Sequence, residues 1–185
     1  MITTCHLTRN AHRLERDTQT MHRTLAYAMG RVLWAHPQQH TLIVQHDKPV
    51  DWMNVLPGVI AHSHTIDTTT PTTGAVIEWA VIANPTYAAI QPGKRGKRSP
   101  LPPAKWKSWI ARKLDGAINI RTIDAERMPT GRGRKLDRCV THMRVMFTGS
   151  GTVANQQALA KLQSEGIGPA KAYGCGLLLV QEATS

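Results

Sequence analysis

Nine histidines, three cysteines and a glycine-studded segment near the C-terminal end are the groups in this chain with chemistry beyond packing. Imidazole has a reference pKa of about 6.5, so each histidine is a candidate proton carrier near neutral pH. Two pairs invite a metal by spacing, His36 with His40 and His62 with His64. Neither has a carboxylate or cysteine at ligand spacing, and Pro37 disfavours a helix that would align His36 with His40. Cys5, Cys139 and Cys175 are odd in number, widely spread and form no C-x-x-C pair. Neither a disulfide framework nor a zinc site is expected from them, and a reducing cytosol fits. The reading therefore expects no metal.

The segment "EGIGPAKAYGCGLLLV" (165–180) sets Gly166, Gly168, Gly174 and Gly176 around a single cation, Lys171. A Walker phosphate loop needs G-x-x-x-x-G-K-[ST] between a strand and a helix. Here the loop follows an expected helix and opens into an expected strand, and Gly-Lys-Ser/Thr is missing. "GSGTVAN" (149–155) lacks the third glycine of a dinucleotide fingerprint. No nucleotide cofactor is expected. Glycines do let a backbone come close to a phosphate and offer it N–H groups. One or two would serve a plain turn, so four point to close approach by another backbone.

Charge says which kind. The chain carries 23 Lys/Arg against 12 Asp/Glu, a formal net charge of +11. Residues 1–88 are neutral overall and residues 139–185 carry +1, whereas residues 89–138 hold fourteen Lys/Arg against four Asp/Glu. A net +10 in fifty residues is the footprint of a surface for a polyanion, with nucleic acid the expected one. No apolar run reaches membrane-spanning length, and the first residues lack the apolar core of a signal peptide. A soluble, cytoplasmic protein is expected.

The elements that must carry these groups follow from periodicity. Residues 1–8 read as a strand, and Asp17, Thr18 or Thr20 as the cap of a helix with Met21, Leu25, Ala28, Met29 and Val32 facing a core. "TLIVQH" (41–46) reads as a strand, residues 47–57 as a loop around a buried Trp52, and residues 74–87 as a longer strand closing the first half. A Gly/Pro-rich basic linker spans residues 89–103. Pro102-Pro103 then opens a helix with Trp106, Trp109, Ile110 and Leu114 inward, Lys105 and Arg112 on one flank, and Gly116 as its stop. Strands follow at 117–128 and 138–147, joined by a turn in which Gly131 and Gly133 present Arg132, Arg134 and Lys135 at a hairpin tip. His142 and Arg144 share one face of the later strand. A helix at 154–165, the glycine loop and a last strand complete the chain.

The second half thus reads as a βαββαβ unit, the ferredoxin-like pattern of RNA-recognition modules. The expected fold class is α+β: two tandem ferredoxin-like domains, 1–88 and 104–185, the first more degenerate. The five tryptophans fall in apolar patterns and are expected in cores.

Five blocks, in order, carry a resemblance. They are "MHRTL" (21–25), "VQHDKPVDW" (44–52), "ANP" (83–85), "GKRGKR…PPAKWKSWIARKL" (93–114) and "GIGPAKAYGCGLLLV" (166–180). Together they resemble the CasE family, the CRISPR repeat-RNA endoribonucleases of type I-E Cascade, or a close relative from another class 1 system such as type IV. The resemblance covers about residues 20–180. It implies metal-independent cleavage at the base of the repeat hairpin, retention of the mature guide RNA, and neighbouring subunits in a Cascade-like complex.

The family's "HRTL" histidine is catalytic, and it falls on His22. Many members have a tyrosine three residues earlier, where this chain has Gln19. The second proton-transfer group is thereby unassigned, and a guide-RNA cap that binds the hairpin without cutting it is the alternative. Contacts to RNA are expected from Arg23 beside the histidine and from Lys94, Arg95, Lys97 and Arg98. They are also expected from Lys105, Arg112, Arg132, Arg134 and Lys135, and from Gly166, Gly168, Lys171 and Gly174 of the loop. The implied chemistry uses RNA's own 2′-OH as nucleophile. It leaves a 2′,3′-cyclic phosphate (or its opened 3′-phosphate) and a 5′-hydroxyl.

Overall fold

In the computed structural model, alternation of burial makes β1 (Ile2–Leu7) a strand with Thr3, Cys5 and Leu7 facing inward. The structure describes residues 1–88, 98–135 and 138–183, with only the backbone of Lys135 and Arg138. Lys94, Arg95 and Lys97, most of the expected linker and residues 136–137 of the expected turn lie outside the described residues.

After β1, a 3₁₀ turn and the short α1 (His12–Arg16) lead to α2 (Thr18–Met29). Asp17 caps α2, its carboxylate accepting the amides of Gln19 and Thr20 at 3.0 and 3.2 Å. Met21 and Leu25, one turn apart, are buried beneath the helix; Ala28 is exposed, and Val32 lies past the helix end but is still buried. Next come β2 (Leu33–Gln38), β3 (Thr41–Gln45), the single turn α3 (Trp52–Val55) and β4 (Ile60–Ile66). These strands form an antiparallel sheet in the order β2-β3-β1-β4. Cys5, Leu25, Trp34, Leu42, Val44 and Trp52 share its core.

The second sheet takes β5 (Val76–Ala83), β8 (Ile118–Lys135), β9 (Arg138–Val153) and β10 (Leu178–Glu182) in the order β10-β5-β9-β8. Between β5 and β8, β6 (Thr86–Ala88) pairs with β7 (Arg98–Pro100) as a separate ladder, followed by α4 (Trp106–Leu114). After β9 comes α5 (Gln156–Glu165). Ile77, Trp79 and Val81 of β5 pack with Trp109, Ile110 and Phe147 in the second core. Among the described residues no helix is long and apolar enough to cross a membrane.

Each sheet thus has the ferredoxin-like order, the unit's first strand lying between its third and fourth. Two expectations need correction. The strand expected to close the first half, β5, instead opens the second unit, so the change of sheet falls between Ile66 and Val76 rather than after residue 88. The strand that does close the first unit, β4, was not expected, because every residue after Ile60 is exposed and no apolar alternation marks it. With β2 and β4 in place the first unit has all six elements, α3 being its one reduced part.

The two sheets meet face to face on one side. Leu33 and Ala35 of β2 pack with Ile82 of β5 and with Cys175 and Leu177 ahead of β10. Burying a leucine or isoleucine contributes about 1.5–3 kcal/mol relative to leaving it exposed. This third cluster therefore holds the strands of the two units against each other.

Candidate functional site

The N-terminal end of α2 is where the two units grip each other. The hydroxyl of Thr18 donates to the Arg132 carbonyl at 2.8 Å, and the Arg134 amide donates to the Asp17 carboxylate at 3.4 Å. Burial works against ionisation of Asp17, but the Thr20, Gln19 and Arg134 donors hold its pKa below the ordinary value. Gly133 lies directly on the helix: a Cβ there would come within 3.0–3.1 Å of Gln19 and Thr18. The far end of the β8–β9 hairpin is therefore clamped across the first unit's helix.

This corrects the expected turn. Gly131 and Gly133 are buried strand residues, paired in register with His142 and Val140. A Cβ on Gly131 would stand 2.2 Å from the Nε2 of His142. Their missing side chains admit a helix and an imidazole. Arg132 and Arg134 alternate with them, so they project from the other face of β8 in the last rungs before the end of the hairpin, and are exposed. The side chain of Lys135 lies outside the described residues.

His22 follows Thr18 and Gln19 by four and three residues, which puts it on the same flank of α2, facing the hairpin. It is half-buried, and its Nδ1 is buried without a hydrogen-bond partner among the described residues. Burial lowers its pKa, which favours the neutral imidazole that can accept a proton. Arg23, next in sequence, is exposed.

The 3₁₀ turn Lys171–Tyr173 of the glycine loop also packs on α2. All four glycines of the loop have positive φ, between 71° and 95°. What their Cβ atoms would meet is protein: Leu33 at Gly166, Trp109 at Gly168, Trp34 at Gly174 and the Ile167 carbonyl at Gly176. The close approach expected of the loop is thus made in the first place by tryptophans and a leucine of both units. Lys171 is half-buried and donates from its ammonium to the Glu165 carbonyl at the end of α5.

Beside this turn the ring of Tyr173 lies 4.7 Å from that of His142. His142 is buried; burial lowers its pKa, and the Tyr173 backbone opposes that effect. Arg144, two residues on, is buried too, and its guanidinium donates to the His36 carbonyl of the first unit. The strand face shared by His142 and Arg144 is therefore interior, not a surface for a ligand. His36 and the backbone of His40 bind Glu15, at 3.0 and 2.6 Å, and His62 stacks on His6 at 4.2 Å.

Not every expected residue gathers here. The backbone of Arg132 and Arg134 meets the start of α2, the helix of His22 and Arg23, and the Lys171 turn packs on the same helix. Lys105 and Arg112 are exposed on the helical layer of the second sheet, and Arg98 is exposed on β7. Sequence reasoning missed Tyr173 and the hairpin clamp; the aromatic sat inside a motif read for its glycines. A cleft of about 660 Å³ remains between the sheets, lined by Ile2, Thr4, Ile43, Glu78, Thr122 and Leu179 among others. By register Glu78, Asp124 and Glu126 share that face of the second sheet. Its charge is the wrong sign for a polyanion.

A family model described as "CRISPR associated protein" matches residues 2–182. Among solved structures, the CRISPR endoribonuclease Cse3 bound to a 19-nucleotide RNA is 25% identical with a TM-score of 0.83, covering 97% of this chain and 99% of that one. Thermus thermophilus Cse3, bound to an RNA representing a pre-cleavage complex, is 25% identical with a TM-score of 0.79, covering 97% and 98%. The CRISPR-associated protein Cas6e from Escherichia coli str. K-12 is 23% identical with a TM-score of 0.74, covering 99% and 100%, a likeness of fold. No curated protein matches significantly.

Proposed function

The chain belongs to the CRISPR associated protein family, and from that premise we propose that it is an endoribonuclease that cuts precursor CRISPR RNA at the base of the repeat hairpin. The observation that carries the reading is His22: a half-buried imidazole on the helix that the β8–β9 hairpin clamps. Likeness over nearly the whole chain to an endoribonuclease solved with RNA supports it.

The attack is intramolecular. The 2′-OH next to the scissile phosphate is the nucleophile, so holding that nucleotide in line recovers much of the barrier without a metal. His22 takes the 2′ proton. Arg23, Arg132 and Arg134 supply positive charge near the phosphates, and Lys171 offers a further cation from the loop. A-form stems hide their base edges, so recognition rests on shape and phosphate contacts. The ends produced are a 2′,3′-cyclic phosphate and a 5′-hydroxyl. The enzyme then keeps the guide RNA and joins other subunits of a Cascade-like complex in the cytoplasm. The units divide near residues 66–76, with the basic segment after residue 88 serving as a further RNA-binding element.

Cleavage of the repeat RNA encoded by its own CRISPR array, in excess EDTA, tests this. The wild type is expected to make a single cut at the hairpin base, and His22→Ala to lose at least a hundredfold in rate while still binding. Tight binding by the wild type with no cut would overturn the enzyme reading and leave a guide-RNA cap.

A further inference from the structure

Cleavage through a 2′-OH needs two proton transfers, and His22 accounts for one. The other goes to the departing 5′ oxygen. Three observations converge on the group that makes it. The 3₁₀ turn Lys171–Tyr173 packs on α2, the helix that carries His22. That turn is held on both sides by left-handed residues, Ala170 at φ 67° and Gly174 at φ 74°, with Gly174 pressed on the ring of Trp34. The Tyr173 ring is braced at 4.7 Å by His142, which is itself seated in the space left by Gly131.

The brace and the ring have different access. His142 is shut away, with both ring nitrogens buried, and lies against the Tyr173 backbone as well as its ring. Tyr173 is half-buried rather than enclosed. Lys171, on the same turn, already donates to the Glu165 carbonyl. A phenol's O–H can donate a proton, as an imidazole nitrogen can accept one.

We propose that Tyr173 is the general acid of the cleavage reaction, a role that deepens the endoribonuclease reading and rests on it. The 2′ oxygen gives its proton to His22 as it bonds to phosphorus. The bond from phosphorus to the 5′ oxygen breaks as the Tyr173 hydroxyl passes its proton to that oxygen. The cyclic phosphate and 5′-hydroxyl leave an imidazolium and a phenolate, which are restored when the proton returns from His22 to Tyr173 through solvent.

Tyr173→Phe keeps the ring against His142 and removes only the hydroxyl. The experiment compares single-turnover cleavage of the repeat hairpin with that of the same hairpin carrying sulfur in place of the 5′ bridging oxygen. Thiolate leaves without a proton. On the oxygen substrate Tyr173→Phe is expected to be slower by a hundredfold or more, with RNA affinity within twofold of wild type. On the sulfur substrate it is expected to cut at the wild-type rate, whereas His22→Ala is slow on both. Wild-type speed of Tyr173→Phe on the oxygen substrate, or an equal defect on both substrates, overturns the assignment of Tyr173 alone. A wild type that cuts neither substrate overturns the parent reading with it.

Discussion

Replacing Gly131 by alanine isolates the packing that seats His142. Gly131 is not among the residues with positive φ, so its backbone suits any amino acid. At such a site a Gly→Ala change stabilises a protein by about 0.4–1 kcal/mol, through the unfolded chain. The structure predicts the opposite sign. The new methyl would lie 2.2 Å from Nε2 of His142 and 2.8 Å from both neighbouring ring carbons. Ordinary contact is about 3.5–4.0 Å, so the ring must retreat by more than an ångström. Behind it stands Tyr173, 4.7 Å away between ring centres, and His142 is already buried. Overpacking of this kind costs about 1–3 kcal/mol. Urea unfolding of Gly131→Ala should therefore show a loss of that size. The double variant Gly131→Ala/His142→Ala should regain part of it, with a coupling of about 1 kcal/mol or more in the thermodynamic cycle. A Gly131→Ala protein as stable as wild type, or more so, would refute the reasoning.

Two further outcomes are expected. Because burial lowers the pKa of His22 and a base must be deprotonated to work, the cleavage rate should be full above that pKa and fall as pH drops through it. The acidic limb of a single-turnover pH profile should have its midpoint below 6.5, the ordinary imidazole value; a midpoint at or above it would contradict the assignment. Changing both Arg132 and Arg134 to alanine should weaken binding of the RNA hairpin and reduce the salt slope of log K by about 0.7–0.9 for each phosphate no longer neutralised. Both side chains are exposed, so stability should stay within about 0.5 kcal/mol of wild type; an unchanged salt slope would remove the two arginines from the interface.

Much of the chain was legible as sequence. Face-sharing in β9 and the apolar stripes of α2 and α4 depend on neighbours along the chain, and the concentration of cations in residues 89–138 is a matter of counting. His22 is different. Its periodicity says only that it flanks a core stripe, and the family resemblance singled it out from nine histidines.

Other features depended on partners far away in sequence. Periodicity reports that one face of a strand is covered but not by which strand it is paired, so β5 was legible as a strand and misplaced as to sheet. β4 is held by its backbone ladder to β1, with all but its first residue exposed, so no side-chain pattern announced it. The glycines show the same division. A glycine in sequence states that something comes close; at Gly131 that neighbour is an imidazole eleven residues on, at Gly133 a helix of the other unit, and at Gly174 the ring of Trp34. Sequence alone determined the patterned strands and helices, the concentrated charge and the need for close approach, because each is a local property. Only the tertiary structure decided which sheet each strand joins and that Tyr173 stands at the helix of His22, because both depend on residues far apart along the chain meeting in space.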